Sequence, residues 1–512
     1  MKIYQTFFFC LIIFFLSSAV ASSDAANSGV SEQEKLAYKE RCLEDLEFLR
    51  KNIAENSAPI KDPNDKDFKI WFDDGYKQTK ILIDGVQDRD DCYYAMKFYV
   101  NGFGRSHVSL RGYILSPPEK YPGILTLKDG DRHVVVYKDN SLIYLKDVEL
   151  GSVLTEINGI KINDYFEKYI LPFYANDDSE YSKKAASLFS LIVNGNRYVP
   201  IPITATFAQD HGEVKVDLKY TELTKEALAI AKAITQPDPE QRFKVEVVSN
   251  GVWIAIPTFY LSKEESVFYT GMLSKLRELA KEDYIVFDLR GNRGGATRWS
   301  RPIIRNLWGD DYIKSLGKDH DYNSLWIKKV RISKQNFFEF KKTANAAEIK
   351  AFAASMQNGE DFFEKKWKIY NEDLNLYTAK NSVPFKAKIY VLTDHFCRST
   401  CWAFVNELKQ IPSVTHVGLP TAIQTNNSYA KKVRSPSEDF DFFYPTEIRI
   451  YPNRNVDQAL IPSEIFDGDI RSDKELTEWI ISIAEKEDDN ENGYNENGDN
   501  EDAKESRKKA SK

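Results

Sequence analysis

Two buried strands that each end in a small polar turn constrain this chain more than any other feature. The first lies in Tyr284–Gly295 and ends in the turn Asp-Leu-Arg-Gly-Asn-Arg-Gly-Gly. The second lies in Ala387–Leu408 and passes through a serine-containing turn into an amphipathic helix. The free N–H groups at a helix N-terminus favour developing negative charge, and a glycine pair lets a further N–H approach the same oxygen. The two segments together predict an acyl-transfer site.

The DLRGNRGG turn resembles the signature of the C-terminal processing (tail-specific) serine proteases, a family that also includes the core of tricorn protease. Three more segments match that family in its order: Gly251–Phe259 (GVWIAIPTF), Leu392–Cys401 (LTDHFCRSTC) and Val417–Thr421 (VGLPT). The matching region extends over residues 251–470. The resemblance implies an α/β core with the Clp-protease/crotonase-like α/β spiral. It also implies a serine-type peptidase activity that needs no cofactor and no metal.

The family pattern assigns the nucleophile to Ser399, six residues after Thr393. Bacterial tail-specific proteases pair this serine with a lysine, but Gln424 stands at the lysine position here. A neutral amide cannot accept a proton, so a Ser–Lys mechanism is excluded unless Lys431 or Lys432 moves in. The resemblance therefore points to the branch that includes tricorn protease and the chlamydial protease-like activity factor, which uses an upstream histidine.

His107 is the histidine that fits that branch. It follows an amphipathic helix and precedes a Val-x-Leu strand in the segment YAMKFYVNGFGRSHVSLRG, which resembles the family's Asp-x-His turn. An imidazole with a pKa near ~6.5 can take the serine proton at neutral pH and return it to the leaving amine. The alternative base is His395, four residues before the serine, whereas His416 is expected to be structural.

A third catalytic group should hold the imidazole of the base in the required tautomer. In the histidine-using branch this group is a glutamate shortly before the terminal Gly-x-x-Pro segment. Asp457 is the acidic residue nearest to that position in this chain, and Glu447 and Glu464 are the alternatives.

The resemblance assigns oxyanion stabilisation to backbone N–H groups of Gly294 or Gly295 and of Thr400. These groups need no side chain to act. Cys397 and Cys401 flank the serine and are the alternative nucleophiles, although the spacing from the Leu-Thr pair favours the serine.

Composition narrows the class of protein. A chain of 512 residues is expected to hold two or three domains, and its 42% hydrophobic and 13% aromatic content supports large cores. The net charge of −7 is modest, and no basic stripe, zinc-spaced cluster or P-loop is present. A nucleic-acid, structural-metal or nucleotide-binding role is therefore not supported.

The chain divides into five predicted parts. Residues 1–21 form a signal peptide with a charged start, an apolar run and an Ala-Val-Ala cleavage site, so the mature protein is expected to be periplasmic or secreted. Its apolar run is too short for a stable membrane span, with an uncleaved anchor as the alternative. Residues 22–107 are a helical region, 108–220 a PDZ-like β domain with a helical insertion, 221–484 the catalytic core and 485–512 a disordered acidic tail.

Four cysteines remain after the signal peptide. Cys42 and Cys92 could bridge the N-terminal helices in an oxidising compartment, whereas Cys397 and Cys401 either pair or stay free.

The sequence thus predicts an exported serine endopeptidase that acts on protein or peptide substrates through an acyl-enzyme on Ser399. A homodimer is compatible with this prediction because His107 is distant in sequence and must be brought in by packing. One alternative is a catalytically inactive peptide-binding protein of the same fold, and a plain β-hairpin domain is the alternative to the PDZ-like domain. Another reaction on a crotonase-like scaffold is the third possibility, but no coenzyme A feature is present.

Overall fold

The computed structural model describes residues 31–105, 107–112, 119–316, 325–368, 387–451 and 456–486. The predicted signal peptide and nearly all of the predicted acidic tail lie outside the described residues. Within these ranges, no helix combines the length and the hydrophobicity that a bilayer span requires.

Three helices form the N-terminal region: α1 (Glu32–Asn56), α2 (Lys66–Asp84) and α3 (Arg89–Asn101). Each begins at a side chain that accepts a backbone N–H from the first turn, namely Ser31, Asp65 and Asp88. A disulfide between Cys42 and Cys92 joins α1 to α3. Short segments that are not α-helical, residues 57–65 and 85–88, separate the three helices.

The next region alternates strands with short helices. Its elements are β1 (Ser109–Gly112), β2 (Lys120–Tyr121), β3 (Ile124–Asp129), β4 (Arg132–Lys138), β5 (Val153–Ile157), β6 (Ile160–Lys161), α4 (Ile162–Tyr165), α5 (Leu171–Tyr174), α6 (Glu180–Ser187), β7 (Thr204–Gln209), β8 (Gly212–Asp217), β9 (Thr221–Glu222) and α7 (Lys225–Thr235). An antiparallel sheet has the order β3-β4-β5-β7-β8, with β6 on β5. Its inner face packs on Tyr165 and Phe166. β1 is not part of this sheet and pairs elsewhere.

The remaining elements form the core and a second layer beside it. They are β10 (Lys244–Val248), β11 (Gly251–Ala255), α8 (Lys263–Leu279), β12 (Tyr284–Asp288), α9 (Thr297–Ser315, interrupted at Gly309), β13 (Leu325–Arg331), α10 (Lys334–Phe340), α11 (Ala346–Gln357), β14 (Phe362–Lys368), β15 (Lys388–Thr393), α12 (Thr400–Leu408), β16 (Val414–Gly418), β17 (Asn427–Arg434), β18 (Phe440–Ile450) and β19 (Glu464–Ile465). Residues 473–486 form a further helix, α13.

The core sheet has the strand order β10-β11-β12-β15-β16-β19, and every neighbouring pair except β10 with β11 is parallel. Strands β11, β12 and β15 are buried almost throughout, with helices α8, α9 and α12 in the same core on one face and α13 on the other. Asp288 pairs in register with Leu392, so β12 and β15 end side by side. The two turns predicted to form the site therefore leave adjacent parallel strands at the same edge of the sheet.

A second antiparallel sheet forms around the long strand β18. One edge of β18 carries β17, and its other edge carries β1 at one end and β13 at the other, with β14 beyond β13. Phe440, Phe442 and Tyr444 of β18 are fully buried against the N-terminal helices. The segment that separates the two site strands in sequence thus contributes β13 and β14 to this sheet.

Candidate active site

The serine predicted as nucleophile lies where β15 turns into α12. Ser399 is the N-cap of α12 and has φ 56° and ψ −121°, a backbone conformation that non-glycine residues rarely adopt. Its N–H donates to Oε1 of Gln424 at 2.9 Å. A disulfide between Cys397 and Cys401 closes around it, and both of these cysteines are fully buried. These contacts hold an unfavourable backbone conformation at the residue that must present its hydroxyl.

The glycine-containing turn after β12 is fixed by buried polar contacts. Asp288 and Arg290 form an ion pair of 2.6 Å with almost no solvent exposure. The N–H of Gly291 donates to the Asp394 carboxylate at 2.8 Å, which ties this turn to the one before Ser399. Asn292 donates through Nδ2 to the carbonyl of Ile256 at 2.8 Å. The turn therefore has little freedom to move relative to the serine.

Burial raises the pKa of Asp394 to about 6, although the N–H groups of Gly291 and Phe396 lower it by donating to the carboxylate. This carboxylate therefore changes charge close to neutral pH while it spans the two turns of the site.

The glycine pair at the end of the turn approaches Ser399 closely. A Cβ on Gly294 would lie 2.7 Å from the carbonyl oxygen of Arg398 and 2.9 Å from the nitrogen of Thr400. The Thr400 hydroxyl donates to the carbonyl of Gly295 at 2.6 Å. Only glycine allows this contact between the two turns.

The two glycines differ in what their N–H groups do. The N–H of Gly294 donates to Oδ1 of Asn292 at 2.8 Å. In contrast, the described residues supply no acceptor for the N–H of Gly295 or of Thr400, and Gly295 is exposed. Of the predicted oxyanion donors, Gly295 and Thr400 are thus available, whereas Gly294 has an internal partner.

A cavity of about 440 Å³, here called the Ser399 cavity, is lined by two of the three predicted catalytic side chains. His107, half-buried and at φ 84°, lines it together with Ser399, Gly295 and Thr400. Aromatic side chains form much of its remaining wall: Trp326, Trp402, Tyr429 and Tyr451. The fold therefore places His107 in the same cavity as Ser399, although the two residues lie nearly three hundred positions apart in the chain.

The alternative bases lie elsewhere. His395 lines a different cavity, stacks on Tyr181 at 4.8 Å and contacts the carbonyl of Pro420 through Nδ1 at 3.0 Å. Burial lowers the pKa of His395 to about 4. His416 is buried and contacts the hydroxyl of Thr393 through Nε2 at 2.8 Å, and burial lowers its pKa to about 3. Neither histidine lines the cavity that contains Ser399.

The two lysines that could have restored a Ser–Lys pair are also engaged elsewhere. Lys431 pairs with Glu339 at 2.9 Å, and Lys432 pairs with Asp441 at 3.5 Å. Neither lines the Ser399 cavity.

The predicted third group does not reach the cavity. Asp457 is exposed, and its backbone N–H donates to the carbonyl of Gln424 at 2.7 Å, but its neighbour Val456 is the residue that lines the cavity. Partial burial raises the pKa of the Asp457 carboxyl, and the positive charge of Arg105 opposes that rise without cancelling it. Asp457 therefore lies beside the turn that carries His107 rather than beside Ser399.

The two acidic alternatives are paired or exposed elsewhere. Glu447 pairs with Lys328, and Glu464 lies exposed on β19. Neither lines the Ser399 cavity.

Two contributors to the site were not assigned by the sequence. Gln424 was recognised only as a replacement for lysine, yet it accepts the N–H of Ser399 and lines the cavity. Arg298 lines the cavity too, three residues after Gly295. Its position three residues after the glycine pair is the sequence signal that could have identified Arg298 as a cavity residue. Among the described residues, no group of three or more His, Cys, Asp or Glu side chains is placed to hold a metal ion.

Residues 252–437 match peptidase family S41. The structure of mature CPAF complexed with lactacystin is similar to this chain at 11% identity and a TM-score of 0.54, covering 88% of this chain and 100% of that one. Mature CPAF alone gives 12% identity and a TM-score of 0.53, with 84% and 93% covered. The tricorn protease gives 12% identity and a TM-score of 0.34, with 84% and 34% covered. No curated protein is significantly similar to the chain.

The similarity to mature CPAF confirms the mixed α/β fold expected from the sequence. The finer comparison with a Clp-protease/crotonase-like spiral and the PDZ-like character of the β domain stay predictions.

Proposed function

Because this chain belongs to peptidase family S41 and is a serine-type peptidase, we propose that it is an exported endopeptidase that cleaves proteins or peptides through an acyl-enzyme on Ser399. The observation that carries the proposal is that Ser399, His107 and the free N–H of Gly295 line one cavity. The nucleophile also stands at the N-terminus of α12, where the helix dipole favours negative charge.

In the proposed reaction, the hydroxyl of Ser399 attacks the peptide carbonyl while His107 takes its proton. The N–H groups of Gly295 and Thr400 donate to the oxyanion of the tetrahedral intermediate, and losing one such donor typically costs about 2.7–4 kcal/mol. His107 then gives the proton to the departing amine. Water, deprotonated by the same imidazole, releases the acyl group from the serine.

Export is proposed on two grounds. Residues 1–21 have the charge, apolar run and small-residue site of a signal peptide. The two disulfides, Cys42–Cys92 and Cys397–Cys401, are typical of proteins from oxidising compartments. These features support a periplasmic or secreted protein.

The test is labelling of the mature protein with a fluorophosphonate probe, with the modified residue mapped by mass spectrometry. We expect labelling at Ser399 that is lost in His107→Ala. His395→Ala and His211→Ala are matched controls, because His395 lies in the other cavity and His211 is exposed on a hairpin turn. Both controls should keep the labelling.

Each contrary result has a distinct meaning. Labelling that survives His107→Ala would reject His107 as the base. A folded protein that is never labelled at Ser399 would contradict the endopeptidase proposal and favour the inactive peptide-binding protein.

A further inference from the structure

The charge of the Ser399 cavity is the feature that reaches beyond the catalytic groups. Two arginines line it, Arg298 and Arg449, whereas its described lining contains no aspartate and no glutamate. The cavity is therefore locally cationic on an acidic protein.

Arg298 is the freer of the two cations. It is exposed at the start of α9, its guanidinium lies 5.2 Å from the centre of the Trp299 ring, and it forms no ion pair among the described residues. Arg449 is partly engaged, with Glu447 at 3.8 Å, and its side chain keeps 33% of its exposure. Arg298 can therefore offer its full donor set to a ligand.

The wall of the cavity behind these two arginines is aromatic and offers an apolar surface to a ligand. Trp326 lines the cavity, and the buried guanidinium of Arg301 lies 5.1 Å from the centre of its ring. An occupant with both an apolar group and a negative charge would meet complementary partners on this wall.

Resting on the proposed peptidase function, we propose that the cavity selects peptide segments that carry an acidic side chain beside an apolar or aromatic one, with Arg298 as the specificity-determining residue. An exposed ion pair contributes up to about 1 kcal/mol, which corresponds to roughly a fivefold preference for glutamate over glutamine. Lysine at the same position should be disfavoured by about the same factor. Salt should weaken both preferences, because the guanidinium is exposed.

The first experiment measures cleavage in a peptide library made from a chymotryptic digest of a bacterial lysate, with the cut sites sequenced by mass spectrometry. We expect Asp and Glu to be enriched over Lys and Arg by the product of the two preferences, roughly 25-fold, around the cut sites of the wild-type protein. Arg298→Gln should abolish the enrichment and Arg298→Glu should reverse it. Arg132→Glu is the matched control, because it makes the same charge change at an exposed arginine outside the cavity.

The second experiment measures binding without catalysis. Fluorescein-labelled peptides of the type Ala-Xaa-Ala-Phe-Ala-Xaa-Ala, with Xaa as Glu, Gln or Lys, are titrated with Ser399→Ala and with Ser399→Ala combined with Arg298→Glu. We expect the order Glu, Gln, Lys in the first protein and the reverse order in the second. Circular dichroism checks that each variant is folded.

The two proposals fail differently. Cleavage with no acidic preference, or a preference that Arg298→Glu leaves unchanged, would overturn the specificity assignment and leave the peptidase function standing. No cleavage at all, with the Glu-over-Lys binding order present and reversed by Arg298→Glu, would contradict the peptidase function and support the acidic ligand class. Equal binding of the three peptides would overturn the specificity assignment whatever the library shows.

Discussion

The buried ion pair at the end of β12 gives a sharp test of how the glycine turn is held. Arg290 donates through Nε to Oδ1 of Asp288 at 2.9 Å and through Nη2 to Oδ2 at 2.6 Å. It also contacts Asp473 at 2.6 Å and the carbonyl of Ile470 at 2.8 Å. The side chains of Asp288 and Arg290 are 0% and 3% exposed, so solvent cannot replace a lost partner.

Replacing Arg290 by methionine would leave the Asp288 carboxylate buried beside the Trp253 indole N–H, which donates to it at 3.0 Å. Removing one member of a buried pair typically costs about 3–5 kcal/mol, because the remaining charge stays uncompensated. We therefore expect Arg290→Met to lower the free energy of unfolding of the core by that amount. The rate of fluorophosphonate labelling at Ser399 should fall with it, because the same turn presents Gly295.

The double variant Asp288→Asn/Arg290→Met separates charge from packing. It removes the uncompensated carboxylate, so it should recover most of the stability that Arg290→Met loses. Urea unfolding followed by tryptophan fluorescence measures both variants. Arg132→Met is the control, since its ion pair with Asp129 is exposed and should contribute less than about 1 kcal/mol. A loss below about 1 kcal/mol for Arg290→Met, or no recovery in the double variant, would refute the reasoning.

Three further changes probe the site and the fold. Gly295→Ala should abolish labelling at Ser399, because its Cβ would lie 2.0 Å from the carbonyl oxygen of Phe259 at φ +145°; undiminished labelling would contradict this. Cys42→Ala/Cys92→Ala should lower the free energy of unfolding by about 4 kcal/mol, the chain-entropy value for a separation of 50 residues, and a urea midpoint like that of the wild type would refute it. Burial lowers the pKa of His133 to about 4, below its value in the unfolded chain, so the stability it contributes is lost as pH falls from about 6.5 towards 4. His395 and His416 contribute in the same pH range, so His133→Phe should reduce the slope of that part of the stability profile without removing it, and an unchanged slope would exclude a contribution from His133.

The part of the site that lies on neighbouring strands could be predicted from the sequence. The strand before Asp288 and the strand before Ser399 are continuous apolar runs that end in small polar turns, a pattern typical of buried parallel strands whose carboxyl ends meet. The position of the glycine pair could be predicted as well, because only glycine can approach the serine turn so closely. In these two turns, the residues that form the contacts follow closely after the strands that the apolar runs predict, so the sequence pattern is sufficient.

The rest depends on pairing between distant segments. The sequence assigned residues 108–220 to one β domain, but β1 within that range pairs with β18, more than three hundred residues later. The rotation of Gln424 towards the N–H of Ser399 depends on how its own loop crosses the nucleophile turn. Asp457 was chosen by its spacing before a proline, and spacing along the chain does not determine which side chain faces the cavity. Such register is decided by tertiary packing, and no periodic signal along the chain reports it.

The short ladder between β1 and β18 determines the position of His107, the proposed base. His107 stands two residues before Ser109, which pairs with Phe443, and β1 contributes only four residues to the ladder. A slip of one residue along β18 would displace the histidine by about 3.3 Å. A shift of that size is enough to break a hydrogen bond made by its imidazole. It would also turn the β1 side chains to the opposite face of the sheet. Under the proposed mechanism, a chain with β1 in the wrong register would keep its Ser399 turn intact and still lack activity, because its base would be out of reach.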